Sequence, residues 1–191
     1  MLKALTIKDS EEFLRRTSKV VDFSDKDLAQ NLSDFKEYCI QNTGFFALAS
    51  IQLGIDKRIV YIKTTESKNA QGSEVIENVL MINPKIISQK GKTEFWEACV
   101  SGLDNFALVE RPYEIVVQYQ TENGEVKVQK FEGFTSTVVS HELDHLDGIF
   151  HMDRAKKLLK MDRNERLEFR KKNPYKIISK TCEFEYPQLA K

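Results

Sequence analysis

The chain has 191 residues, 41% hydrophobic and 30% charged, the balance of a soluble globular domain long enough to bury a core without staples. Lys plus Arg and Asp plus Glu both number 29, and zero net charge argues against a global field that would steer the protein to nucleic acid or a membrane surface. Three widely spaced cysteines, Cys39, Cys99 and Cys182, are no disulfide framework, so a reducing compartment is the simpler reading.

The opening stretch MLKALTIKDSEEFLRR lacks the apolar core of roughly 7–15 residues that a secretory signal carries, and no apolar run is long enough to span a bilayer. Leu28, Leu32, Phe35, Tyr38 and Cys39 recur at helical spacing, which predicts a helix over 25–41 with one buried face and with Gly44 near its end. Cys39 on that face reads as a small core residue rather than a reactive thiol. Strands are expected over 58–63, over 79–88 with an interruption at Pro84, and over 93–101. Two β-branched runs, 113–120 and 126–131, flank Asn123-Gly124, a strong hairpin signal. Residues 135–147 read as a helix, with Thr135 as N-cap and Gly148 just past its end. A last helix is expected from about 154 to 172. The predicted fold class is α+β: mixed short strands packed around one central helix, with helices towards both termini.

That central helix carries His141-Glu142-Leu143-Asp144-His145, two of the three histidines in the chain. At about 100° per residue, positions i and i+4 share a face roughly 6 Å apart along the axis, so both imidazoles can converge on one ion. Glu142 then stands where an acid/base group can reach an attacking water. His151 lies outside the pattern and reads as a surface or packing residue. A catalytic centre needs a third protein ligand, and two residues offer one. Cys99, at the end of a predicted strand, would make a softer site, whereas Glu165, on the following helix, would make a peptidase-like one. Spacing alone therefore reaches a metal hydrolase and leaves the third ligand open.

The wider pattern resembles the peptide deformylase family over nearly the whole chain. The family motif H-E-x-D-H-L-x-G is complete as His141, Glu142, Asp144, His145, Leu146 and Gly148. E-G-C-L-S reads here Glu97-Ala98-Cys99-Val100-Ser101. G-x-G-x-A-A-x-Q reads Phe45-Phe46-Ala47-Leu48-Ala49-Ser50-Ile51-Gln52. Motif order, the intervening hairpin, Arg111-Pro112 and Glu132-Gly133-Phe134 also fit. The resemblance implies a catalytic domain over 1–153, with 154–191 as its C-terminal helix and tail. It implies metal ligation by Cys99, His141 and His145, and Glu142 as general base and then acid. Gln52 and the Val100 backbone N–H would serve as oxyanion donors, and Phe45, Phe46, Ala47, Leu48, Glu97 and Ala98 would line the substrate groove. The implied cofactor is one divalent ion, Fe2+ by family preference, with Zn2+, Ni2+ or Co2+ taken up in preparations.

The implied reaction removes formyl from N-formylmethionyl peptides of nascent chains in a bacterial-type cytoplasm or an organelle. Lys156, Lys157, Lys160, Arg163, Arg166, Arg170, Lys171 and Lys172 suggest ribosome docking or, more simply, a solvated face. The departures cluster in the first motif. Phe45 and Ala47 replace glycines, Ser50 replaces alanine, and Ala98 replaces the glycine before Cys99. Added side chains at 45 and 47 are expected to narrow or reshape the groove, which raises a second reading: a protein that binds blocked peptides without useful turnover.

Overall fold

The computed structural model describes residues 2–42, 44–63, 78–186 and 189. Helices α1 (Ile7–Leu14) and α2 (Leu28–Gln41) precede strands β1 (Ala47–Ala49) and β2 (Ile59–Ile62), with a short 3-10 turn, Ser50–Leu53, between the strands. Strands β3 (Val79–Ala98), β4 (Asn105–Arg111), β5 (Glu114–Gln120) and β6 (Val126–Glu132) lead into helix α3 (Gly133–Leu146). Strand β7 (Ala155–Lys160), helix α4 (Arg163–Lys172) and strand β8 (Lys176–Glu183) follow. Every strand pairing is antiparallel. The architecture is thus α+β, with the sheet wrapped around α3.

Strand β3 organises the sheet. Its first half pairs with β2 and β5, and its second half with β4 and β8. The two strands expected at 79–88 and 93–101 are therefore one 20-residue strand. Pro84 bends it without ending it. Asn83 takes φ +52°, a conformation asparagine tolerates, and its side chain bonds both Val21 backbone groups, at 2.7 and 3.0 Å. The register slips between Ile82 and Lys85, so the missing proline N–H falls in a bulge.

The hairpin forms as expected, with Gly124 at φ +80° closing the turn. Helix α2 buries Leu28, Leu32, Phe35 and Cys39, as its period requires. Burial lifts the Cys39 thiol to about 12, which makes it inert packing. Its C-cap is Asn42 rather than Gly44.

Helix α3 starts two residues before the expected cap, at Gly133 with Glu132 as N-cap, so Thr135 lies inside it. The expected 154–172 helix breaks in two. Ala155–Lys160 has good helix formers, yet it pairs with β4 as β7, because a ladder outweighs propensities of a few tenths of a kcal/mol per residue. Helix α4 begins only at a capping box: Asp162 Oδ1 accepts from the Asn164 and Glu165 N–H groups, and Glu165 Oε2 accepts from the Asp162 N–H. Strands β1, β4 and β8 had no expectation at all. Among the described residues, no helix is long and apolar enough to cross a membrane.

Gly148 follows α3 at φ +70°, and a Cβ there would overlap the Arg15 carbonyl. The Ser18 N–H also donates to Leu146 O at 2.7 Å, so the segment after α1 lies against the end of α3. Gly148→Ala should therefore lose about 1–2 kcal/mol for the left-handed backbone, and more for the displaced segment. A fall in the urea midpoint at constant m would show it; an unchanged midpoint would mean that the segment moves freely.

Candidate metal centre

The helical period places His141 and His145 side by side, ring centroids 4.9 Å apart. Cys99 lies directly after β3, in a turn that Gly102 N–H closes on Cys99 O at 3.1 Å. Its Sγ is 3.1 Å from His145 Nε2. One donor atom from each of the three residues falls within 4.8 Å of the others. Thiolate and imidazole bond lengths of about 2.0–2.3 Å place tetrahedral donors roughly 3.3–3.8 Å apart, so the cluster fits a single divalent ion.

The groups behind the ligands strengthen that fit. His141 Nδ1 is 2.8 Å from Glu97 Oε2, which leaves Nε2 as the nitrogen free to bind an ion. Burial works against a proton on His141, but bonds to Cys99 and Glu97 carry its pKa well above the usual histidine range, the mark of a basic imidazole. Burial holds His145 well below that range, in the neutral form that binds metals. Glu97 faces the fully buried Arg111, whose Nε and Nη2 donate to its two oxygens at 2.8 and 2.9 Å. Burial alone would raise the Glu97 pKa, yet the Arg111 charge keeps it far below the carboxylate range. Arg111 Nη1 also donates to Asp144, which Arg154 grips from the other side at 2.6 and 2.7 Å. Asp144 thus points off the ligand face, and its contact with Arg111 is real.

Glu142 is buried, and burial pushes its carboxyl up to about 7. Its Oε2 has no partner among the described residues, so this oxygen is available to take a proton. Gln52 is buried on the facing 3-10 turn. Its Oε1 accepts the Ala49 N–H at 2.9 Å, which fixes the amide and turns Nε2 towards Cys99 Sγ at 3.4 Å and Ser101 Oγ at 3.1 Å. Val100 sits in the Cys99 turn with its side chain exposed.

The groove residues divide. Phe46 is exposed and meets Phe134 edge-on at 5.9 Å. Phe45 stacks on Tyr38 at 6.4 Å with the Lys63 ammonium over its ring, and Ala47 joins the buried core beside Ala49. Ala47 turns into the core from β1, and Phe45, which precedes the strand, packs half-buried against the cluster that holds Leu48. Leu48 is likewise buried. Ala98 keeps its ladder position opposite Phe106. The Glu97 carboxylate is wholly engaged by Arg111 and His141, so it orients the His141 ring and does not face a groove.

Glu165 caps α4, exposed and away from the cluster, which removes the peptidase-type ligand set. Of the two readings of His151, packing fits and surface does not. It is buried, with Nε2 3.1 Å from Asn105 O and its ring 5.7 Å from His141. Arg154 and Ser101 escaped the sequence reading. Ser101 stood in a quoted motif, whereas nothing local marks Arg154.

A largely buried Cys/His/His cluster just past a strand end and on a helix, with a buried carboxylate beside it that has one oxygen free among the described residues, has the donor set to hold one divalent ion. A family model for polypeptide deformylase matches residues 3–161. Peptide deformylase 2 of Clostridium acetobutylicum is 34% identical over 151 residues, 78% of this chain and 93% of that protein. The Helicobacter pylori (strain Shi470) peptide deformylase is 32% identical over 163 residues, covering 85% and 91%. Among solved structures, the peptide deformylase of Thermotoga maritima superposes with TM-score 0.67 at 29% identity, covering 82% of this chain and 99% of that one. The Met-Ala-Ser-bound class I type b enzyme of Acinetobacter baumannii gives 0.69 at 26%, covering 81% and 98%. The chain belongs to the polypeptide deformylase family, and it is a deformylase.

Proposed function

We propose that this chain hydrolyses the formyl group from N-formylmethionyl peptides at the Cys99–His141–His145 centre, releasing formate and a free amine. The observation that carries the site assignment is the three-donor cluster beside a buried Glu142 with one unpaired oxygen. A divalent ion bound there would polarise the formyl carbonyl and lower the pKa of the attacking water. Glu142 takes the proton of that water and returns it to the leaving amine. Gln52 Nε2, aimed by the Ala49 bond, and the Val100 backbone N–H donate to the oxygen as it gains charge. Strand β1 ends the sheet path, and Ala47 and Leu48 are buried, so residues 45–48 offer the peptide main-chain groups at a sheet edge. Phe46 is the side chain of that segment that faces outward. The Acinetobacter relative bound to Met-Ala-Ser supports a peptide of this kind.

Ferrous iron is our reading of the metal from family preference; the Cys/His₂ set also suits zinc, nickel and cobalt. A bacterial-type cytoplasm is the matching compartment. Exposed Lys157, Lys160, Arg163 and Lys172 support a ribosome-facing role, but Lys156, Arg166, Arg170 and Lys171 are engaged within the protein. The inward turn of Phe45 and Ala47 favours turnover over a purely binding role.

The test is formate release from formyl-Met-Ala-Ser by anaerobically prepared, iron-loaded protein. We expect turnover with one metal equivalent, and loss of both in Cys99→Ala. Peptide binding without formate release would refute the hydrolytic assignment, and stoichiometric metal in Cys99→Ala would refute the ligand set.

A further inference from the structure

The family match ends at residue 161, yet the chain beyond it returns to the metal centre. After β8, Phe184 is buried, its carbonyl accepts from Gln89 Nε2 at 3.2 Å, and its ring packs edge-on against Tyr186 at 4.9 Å. Tyr186 is thereby laid across two arginines. The Arg154 guanidinium sits 3.7 Å from its ring centroid, and Arg111 Nη1 donates to its hydroxyl at 3.4 Å. These are the arginines that hold Asp144, and Arg111 also carries Glu97, which orients His141.

We propose that Tyr186 is a positioning residue for the metal centre, holding Arg111 and Arg154 in the geometry that fixes Glu97 and, through it, His141. The ring excludes water from the Arg154–Asp144 fork, where a low local dielectric keeps the ion pairs strong. It also offers a π-face to a guanidinium already engaged at its edge. Removal of the ring opens Asp144 to water, frees Arg111 to shift, and loosens the bond that sets the His141 ring. The apolar body carries most of this, since the hydroxyl contact is long. The inference rests on Cys99, His141 and His145 being metal ligands.

The experiment loads the full-length chain with Co2+ and follows metal loss to excess chelator by the thiolate-to-cobalt absorption, for wild type, Tyr186→Ala and Tyr186→Phe. Partners behind a ligating histidine typically alter metal affinity about 10–100-fold, and Tyr186 lies one layer further out, so we expect release about tenfold faster in Tyr186→Ala. Tyr186→Phe should stay within about twofold of wild type. Release is compared at a temperature well below each variant's own metal-free melting temperature, where all three proteins are folded, which separates positioning from unfolding. Release at the wild-type rate in Tyr186→Ala under those conditions overturns the proposal. Failure of wild type to take up one equivalent of cobalt overturns the ligand set itself, and this inference with it.

Discussion

Glu142→Gln should lower formate release by about 10²–10⁴-fold, the range for loss of a positioned acid/base, while metal content stays at one equivalent. The argument is one of shape and protons. Glutamine matches glutamate in volume, so the buried pocket keeps its packing. It cannot accept the proton of the attacking water or hand one to the amine. Glu142 lies outside the three-donor cluster, so metal stoichiometry should not move. The burial that lifts its carboxyl to about 7 suits a group that must both take and give a proton near neutrality. Steady-state kinetics and metal analysis of the same preparation decide the matter. Activity above a tenth of wild type would move the proton transfer to another group.

Arg111→Met should be the most destabilising single change in the chain. Arg111 is fully buried and touches two buried carboxylates, Glu97 and Asp144. Methionine fills much of the volume but leaves Glu97 with only His141 and Asp144 with only Arg154. Removal of one member of a buried pair typically costs about 3–5 kcal/mol, against a total stability of about 5–15 kcal/mol for a domain. Urea unfolding of the metal-free protein reads this without interference from the ion. Arg111→Lys should fall between the two, because an ammonium keeps the charge and loses the fork that spans both Glu97 oxygens. A loss below about 1 kcal/mol in Arg111→Met would show that the carboxylates find protons or water instead.

Much of the centre was legible because its signals are local. The histidine spacing depends only on the helical repeat, and the Asn123-Gly124 turn needs only positive φ. Cys99 was different: spacing left it level with Glu165, and the motif resemblance decided between them. The Asp162 x-x Glu165 box was in plain sight and marks the true start of α4, while the apparent period from 154 hid it. What could not be read locally is what the sheet dictates. Ala155–Lys160 is a strand because Asn105–Val109 lies beside it, and the Pro84 bend stays within one strand because β2 and β5 hold both sides. The same holds for the arginines. Arg111 could be suspected as an Asp144 partner, but its full burial and its grip on Glu97 follow from where β3 and β4 run.

The 20-residue β3 also sets an order of assembly. Glu97 near its end is placed only once β4 has paired there, and His145 arrives 46 residues after Cys99 on a helix that needs the sheet to pack against. The Glu97 and Cys99 end of the site closes locally, in the β3–β4 hairpin, whereas His145 meets Cys99 across 46 residues, a closure whose entropy must be met before the three donors come together. We therefore expect the centre to be completed late in folding, so that an ion entering it acts chiefly by slowing its opening.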